Sequence, residues 1–123
     1  AEFGMKIFVI EDDRGWERYY ERLLKRDELS LFHDGVEAIA AMDEVVPDLV
    51  ILDVLLTGPT GFAILHEMRS YPELMDVPVF VVSSVNISDI DESYGVVRVF
   101  DKATMQPRDL LAAVDGMRGK ADG

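Results

Sequence analysis

A run of four apolar residues that ends in a carboxylate is the feature that most constrains the fold of this chain. Leu49–Leu52 contains no polar residue, Asp53 follows directly, and a segment rich in Gly, Pro and Thr begins at Thr57. An uninterrupted apolar run of this length is typical of a parallel strand covered on both faces by helices. In open α/β sheets, ligands bind beyond the carboxyl ends of such strands. We therefore expect chemistry at Asp53.

Apolar runs and helical periodicity alternate along the whole chain. The predicted strands share a short apolar run and cover residues 5–10, 28–32, 49–52, 78–84 and 96–100. Apolar residues recur at helical spacing in segments that begin near Trp16, Gly35, Gly61 and Pro107. This alternation predicts an α/β fold of five β-α units, (βα)5, with a doubly wound, five-stranded parallel sheet.

Three helical segments carry finer predictions. The second helix is expected to begin after Asp34, whose side chain suits an N-cap. Its expected buried face consists of Val36, Ile39, Ala40 and Met42. Asn86–Tyr94 is polar, with two isoleucines as its only anchors, and predicts a short or irregular fourth helix. The last helix is expected to end near Met117.

Composition sets the class of protein. The 123 residues predict one domain over residues 5–118, with residues 1–4 as a cloning remnant and residues 119–123 as a frayed tail. A net charge of -12 argues against a nucleic acid or an anionic membrane as a direct partner. The chain has no cysteine and no apolar stretch long enough to cross a bilayer. We therefore expect a cytoplasmic protein.

Polar side chains follow four of the five predicted strands. Glu11 and Asp12 follow the first strand, Asp53 the third, Ser83 ends the fourth, and Lys102 follows the fifth. Taken singly, an acid after a strand is often a turn residue, a serine a helix cap and a lysine a solvated charge. Because the carboxyl ends of parallel strands share one edge, however, these five side chains are expected to converge.

The convergence has a chemical meaning. Carboxylates packed together repel one another unless a cation lies among them. Oxygen ligands without histidine or cysteine favour Mg²⁺, which readily accepts a phosphoryl oxygen as a further ligand. A carboxylate can attack phosphorus to form an aspartyl phosphate, and that step needs mainly positioning and charge neutralisation. A metal site, a lysine and a hydroxyl supply both.

With this ordered set, the chain resembles the receiver domain of two-component response regulators, of the single-domain type, over Met5–Met117. The run from Asp53 to Phe62, with Gly58 and Gly61 at its family positions, adds to the resemblance. The resemblance implies a flavodoxin-like sheet with strand order 2-1-3-4-5.

The resemblance also implies a role for each strand-end residue. Asp53 matches the phospho-acceptor, Lys102 the lysine that pairs with the phosphoryl group, and Ser83 the hydroxyl that moves on switching. The implied metal ligands are Glu11, Asp12, Asp53 and the backbone carbonyl of Leu55. Mg²⁺ is the implied cofactor.

The resemblance implies a phosphorylation-dependent signalling switch. A histidine kinase or phosphotransfer protein would donate the phosphoryl group, and an unidentified partner protein would receive the output; dimerisation is left open. The chain would catalyse its own phosphorylation and slow dephosphorylation at Asp53, with no turnover of an external substrate. An alternative is a pseudo-receiver that binds partners without phosphorylation.

Two enzyme-like alternatives fit less well. Asp-nucleophile phosphatases generally carry a second acid two residues after the nucleophile, where this chain has Leu55. A flavin phosphate would meet three acids after the first strand, at residues 11–13, and would be repelled.

Position 99 departs from the family pattern, and positions 55 and 85 bear on the lifetime of the aspartyl phosphate. Val99 occupies the usual aromatic switch position, and Phe100 is expected to point to the opposite face of its strand. Leu55 and Val85 stand where side chains shape water access to the phosphoryl group. Because both are apolar and cannot orient a water molecule, we expect slow self-dephosphorylation.

Overall fold

The computed structural model describes residues 4–53, 61–84 and 95–122, without the side chains of residues 119–122. In these ranges the strands are β1 (Lys6–Ile10), β2 (Glu28–Phe32), β3 (Leu49–Leu52), β4 (Val79–Ser83) and β5 (Val96–Asp101). The helices are α1 (Arg14–Leu23), α2 (Gly35–Met42), α3 (Gly61–Arg69) and α4 (Pro107–Asp122). Strands and helices therefore alternate as the sequence predicts.

The five strands form one parallel sheet in the order β2-β1-β3-β4-β5, which confirms the predicted flavodoxin-like topology. Ile10 pairs with Leu52 in β3, and Leu52 pairs with Val81 in β4. Because the register is shared across the central strands, the residues that follow them emerge along one edge of the sheet.

Helices cover the sheet on both faces, and each face has its own apolar core. Side chains from α2 and α3 pack with Phe8, Ile10 and the strand residues that point the same way. Side chains from α1 and α4 pack on the other face with Ile7 and Val9. The central strands are buried on both sides, which explains why their sequences are almost wholly apolar.

The buried face of α2 differs from the predicted one. Its buried residues are Gly35, Ala38 and Met42, whereas Val36 is 64% exposed and Ala40 is also exposed. Only Met42 and the partly buried Ile39 were correctly assigned. The helix is therefore rotated about its axis relative to the prediction. The cause is steric, because Gly35 lies against Ile64 of α3 and a Cβ at this position would overlap that side chain. A glycine there lets α2 approach α3 closely.

The last helix continues to Asp122, beyond the end expected near Met117. Arg118 explains the extension, since its guanidinium forms a two-point ion pair with Asp27 and a 2.8 Å contact with Asp115 Oδ1. Asp27 precedes β2 and also accepts a hydrogen bond from Met5 N at 3.0 Å. The ion pair therefore fastens the C-terminal part of α4 to the start of the sheet.

Two predictions concern residues that the structure does not describe. The expected short or irregular helix at Asn86–Tyr94 lies outside the described ranges, as do Leu55 and Val85. Among the described residues, no helix has the length and apolar content needed to cross a membrane.

Candidate functional site

The end of β1 places two acids at the edge of the sheet where the strands have their carboxyl ends. Glu11 N donates to Phe32 O at 2.9 Å, which extends the β1-β2 ladder and leaves Glu11 only 1% exposed. Asp12 follows and is exposed. Asp13 instead caps α1, because its Oδ1 accepts from Gly15 N at 2.7 Å and from the next amide of the helix. Glu11 and Asp12 therefore differ sharply in their contact with water.

Asp53 brings a third carboxylate to the same place. Its backbone amide donates to Ile10 O at 3.1 Å, and the residue is 6% exposed. Ligand oxygens of Glu11, Asp12 and Asp53 all lie within 4.8 Å of one another, a grouping that could hold a metal ion. The set has only oxygen donors, which matches the preference of Mg²⁺ and similar hard cations.

Lys102 connects the acids across the sheet. Its backbone amide donates to Ser83 O at 2.9 Å, which fixes the residue beside the end of β4. Its ammonium donates to Glu11 Oε1 at 2.8 Å and to Asp53 Oδ2 at 2.9 Å. With 11% of the Lys102 side chain exposed, these are largely desolvated ion pairs. One ammonium group thus bridges two buried carboxylates.

The environment shifts the protonation of this pair. Burial raises the pKa of Glu11 to about 7, although the Lys102 ammonium acts in the opposite direction. Burial alone would lower the pKa of Lys102, but its hydrogen bonds to Glu11 and Asp53 outweigh that effect and raise it. The ammonium therefore stays charged, while the Glu11 carboxyl keeps its proton to a higher pH than a solvent-exposed glutamate does.

Ser83 completes the described part of the site. It is the last residue of β4, is buried, and pairs in register with Asp101. Since Leu52 pairs with Val81 on the neighbouring strand, Asp53 and Ser83 leave the sheet at the same edge. The predicted residues Glu11, Asp12, Asp53, Ser83 and Lys102 are therefore gathered at one place.

The response regulator receiver domain is the family whose model matches residues 7–115 of the chain. This chain belongs to that family. Receiver domains work in two-component systems, where they take phosphoryl groups from histidine kinases, so membership is consistent with phosphorylation-dependent signalling.

Solved structures of response regulators resemble this receiver domain. The manganese-bound form of response regulator Rcp1 is 25% identical, with a TM-score of 0.73, covering 92% of this chain and 91% of that chain. The phosphorylated cyanobacterial phytochrome response regulator RcpA is 28% identical, with a TM-score of 0.73 and coverages of 93% and 91%.

A third similar structure supports the fold alone. The receiver domain of a sensor histidine kinase from Pseudomonas aeruginosa PAO1, with magnesium in its active-site cleft, has a TM-score of 0.82 at 18% identity. The match covers 94% of this chain and 98% of that chain.

The receiver domain has the predicted departure at its fifth strand. Val99 is exposed, whereas Phe100 is buried, with its ring centroid 5.9 Å from that of Phe80. The expected alternation of these two residues is therefore confirmed. Because residue 99 is a valine, this receiver domain has no aromatic ring at that position whose rotation could act as the switch.

The sequence predicted only that a helix begins near Trp16, and the contact of this residue with the site was missed. The Lys102 ammonium lies 4.9 Å from the centroid of the indole ring. A signal was present in part, since Trp16 lies in the first turn of α1, close in sequence to Asp13 at the same edge of the sheet. Nothing in the sequence linked this position to Lys102.

Proposed function

We propose that this receiver domain is a signalling switch in which Asp53 accepts a phosphoryl group, with Mg²⁺ as cofactor. The donor is a histidine kinase or a phosphotransfer protein, and the output goes to a partner protein. The observation that carries the proposal is the Lys102 ammonium, which contacts both Asp53 and Glu11 beside a three-carboxylate cluster.

The donor set fits Mg²⁺. Glu11 and Asp53 are buried carboxylates whose mutual repulsion a divalent cation would relieve, and Asp12 is exposed to solvent beside them. These three residues would hold the ion together with the backbone carbonyl of Leu55, which lies outside the described residues. The bound ion would neutralise charge on the phosphoryl oxygens.

The described residues have distinct parts in the transfer. A carboxylate oxygen of Asp53 forms a bond to phosphorus while the bond from phosphorus to the donor breaks, and the donor keeps that electron pair. Lys102 already lies 2.9 Å from Asp53 Oδ2, so its ammonium needs only a short movement to pair with a phosphoryl oxygen. The hydroxyl of Ser83 then donates a hydrogen bond to another phosphoryl oxygen.

Two similar proteins support the proposed metal binding and phosphorylation. Rcp1 has been solved with manganese bound, and RcpA in its phosphorylated form. Metal binding and phosphorylation are the two states that the proposal assigns to this receiver domain.

Intact-mass measurement after incubation with Mg²⁺ and acetyl phosphate tests the proposal. We expect one added phosphoryl group in the wild type and none in Asp53→Asn or in the presence of a chelator. Asp43→Asn is the matched control, because it makes the same chemical change at an exposed position that follows α2. If neither acetyl phosphate nor candidate histidine kinases modify the wild type, the phosphorylation-independent pseudo-receiver becomes the better hypothesis.

A further inference from the structure

The indole of Trp16 lies at the edge of the site and packs against other side chains of its own helix. The Trp16 amide donates to Asp13 Oδ1 at 3.1 Å, which fixes the start of α1. The indole ring contacts Tyr19 at a centroid distance of 5.1 Å and Tyr20 at 6.1 Å. Tyr20 is itself fully buried in the core. The ring that faces Lys102 is therefore supported by its own helix.

Among the described residues, the Lys102 ammonium has three partners of two kinds. Glu11 and Asp53 are charged, and both belong to the three-carboxylate cluster that would bind Mg²⁺. Trp16 is uncharged and has no group that a hard metal ion would take. Metal and a phosphoryl group bound at the two carboxylates would leave the indole face available to the ammonium.

We propose that Trp16 is a positioning residue for Lys102. Through a cation–π contact, the indole would keep the ammonium beside Asp53. This contact would matter when Glu11 and Asp53, the present partners of the ammonium, bind the metal and the phosphoryl group instead. The low exposure of the Lys102 side chain strengthens this contact, because water competes little for the ammonium. The inference rests on the proposed phosphorylation of Asp53.

Simple packing is the competing explanation. Trp16 is partly buried against the core on the α1 side of the sheet, so its loss would disturb that core whatever its role toward Lys102. The two explanations differ in what they require. Packing requires apolar volume, of which Met and Phe each keep a part, whereas positioning requires an aromatic face, which of the two only Phe retains.

The first measurement is a double-mutant cycle on stability in the absence of metal. Wild type, Trp16→Met, Lys102→Met and the double variant are unfolded in urea. We expect the two substitutions to be coupled, by about twofold to thirtyfold in the unfolding equilibrium constant. Additive effects would overturn the cation–π contact.

The second measurement is the rate of phosphorylation by acetyl phosphate at fixed Mg²⁺. We expect Trp16→Met to slow the reaction by about twofold to thirtyfold, and Trp16→Phe to retain most of the wild-type rate. Equal rates in the two variants, or a wild-type rate in Trp16→Met, would overturn positioning even if the cycle shows coupling. A wild type that neither acetyl phosphate nor candidate histidine kinases phosphorylate would instead refute the proposed function, which distinguishes the two failures.

Discussion

Lys102 and Glu11 form a 2.8 Å hydrogen bond between residues 91 positions apart in the sequence. The same ammonium donates to Asp53, so a single cation from the protein compensates two buried carboxylates. The lysine thus partly compensates the negative charge that a divalent metal ion would otherwise compensate. Metal binding must therefore compete with Lys102 for the carboxylate oxygens.

Replacing Lys102 with Met should strengthen Mg²⁺ binding. Removal of the competing ammonium leaves a more negative cluster, and we expect the affinity to rise by about tenfold, equivalent to about 1.4 kcal/mol. Isothermal titration calorimetry at neutral pH measures the change. Lys6→Met is the matched control, because Lys6 is exposed at the start of β1, at the opposite end of the strand. Unchanged or weaker binding in Lys102→Met would show that the ammonium does not compete with the metal.

The stability of the metal-free protein should carry a pH dependence from Glu11. Burial raises the pKa of Glu11 from 4.5 to about 7, so between these values the native state binds more protons than the unfolded state. The contribution of Glu11 to stability therefore falls as the pH rises through this window and is constant above it.

Glu11→Gln, which cannot titrate, isolates this effect. Relative to the variant, we expect the wild type to lose on the order of 1–3 kcal/mol of unfolding free energy between about pH 5 and about pH 8. Urea unfolding in the presence of a chelator gives the comparison, since all other titrating groups are common to both proteins. Parallel pH profiles would mean that Glu11 titrates in the folded protein as it does in the unfolded chain.

Arg118→Leu should destabilise the fold strongly. The Asp27 side chain is 0% exposed and is paired with the Arg118 guanidinium, so the substitution leaves a buried carboxylate without its cation. We expect a cost of about 3–5 kcal/mol in urea unfolding. Arg118→Lys should recover only part of it, because an ammonium cannot reproduce the two-point contact.

Arg108→Leu is the control for this loss of charge. Arg108 is exposed in the first turn of α4, and its replacement should change stability by less than about 0.5 kcal/mol. Similar losses from both arginines would indicate an effect of net charge rather than of the buried pair.

Tyr19→Phe should leave stability unchanged or increase it by up to about 1 kcal/mol. The Tyr19 hydroxyl is buried and has no hydrogen-bond partner among the described residues, so its removal relieves an uncompensated desolvation. Thermal unfolding beside Tyr71→Phe, at an exposed position where little change is expected, provides the measurement. A loss above about 1 kcal/mol would reveal a hydrogen bond made by the hydroxyl.

The sheet and much of the site could be predicted because their determinants are local. An apolar run such as Leu49–Leu52 forms a buried strand in almost any α/β arrangement. Once the strands are parallel, the residues that follow them must meet at one edge, which is why Asp53 and Lys102 were assigned to one site before any contact was known. The common direction of the strands was therefore enough to predict that these residues lie together.

Contacts that depend on the placement of a helix could not be predicted. The spacing of apolar residues in α2 indicated a buried face with Val36, whereas the observed face follows from the contact of Gly35 with Ile64. The contact of Trp16 with Lys102 likewise depends on how α1 lies on the sheet. Sequence periodicity gives a helix its apolar side only to within about one residue, or roughly 100° of rotation.

Two glycine-to-alanine substitutions test whether packing or helix propensity dominates. Both Gly35 and Gly116 lie in helices, where alanine has the higher intrinsic propensity. A Cβ at Gly116 would meet no atom of the described residues within 4 Å beyond its own stretch of helix, so Gly116→Ala should stabilise by about 0.5–1 kcal/mol. A Cβ at Gly35 would overlap Ile64, so Gly35→Ala should destabilise by about 1–3 kcal/mol in urea unfolding.

The cause of the Gly35 effect can be separated by changing its neighbour. The overlapping atoms are Cγ1 and Cδ1 of Ile64, which Ile64→Ala removes, while the remaining Cβ would lie at an ordinary 3.6 Å from the new methyl group. In the Ile64→Ala background, Gly35→Ala should therefore lose its cost and become neutral or stabilising. If the cost of Gly35→Ala is the same in both backgrounds, the close approach of α2 to α3 is not what requires glycine at this position.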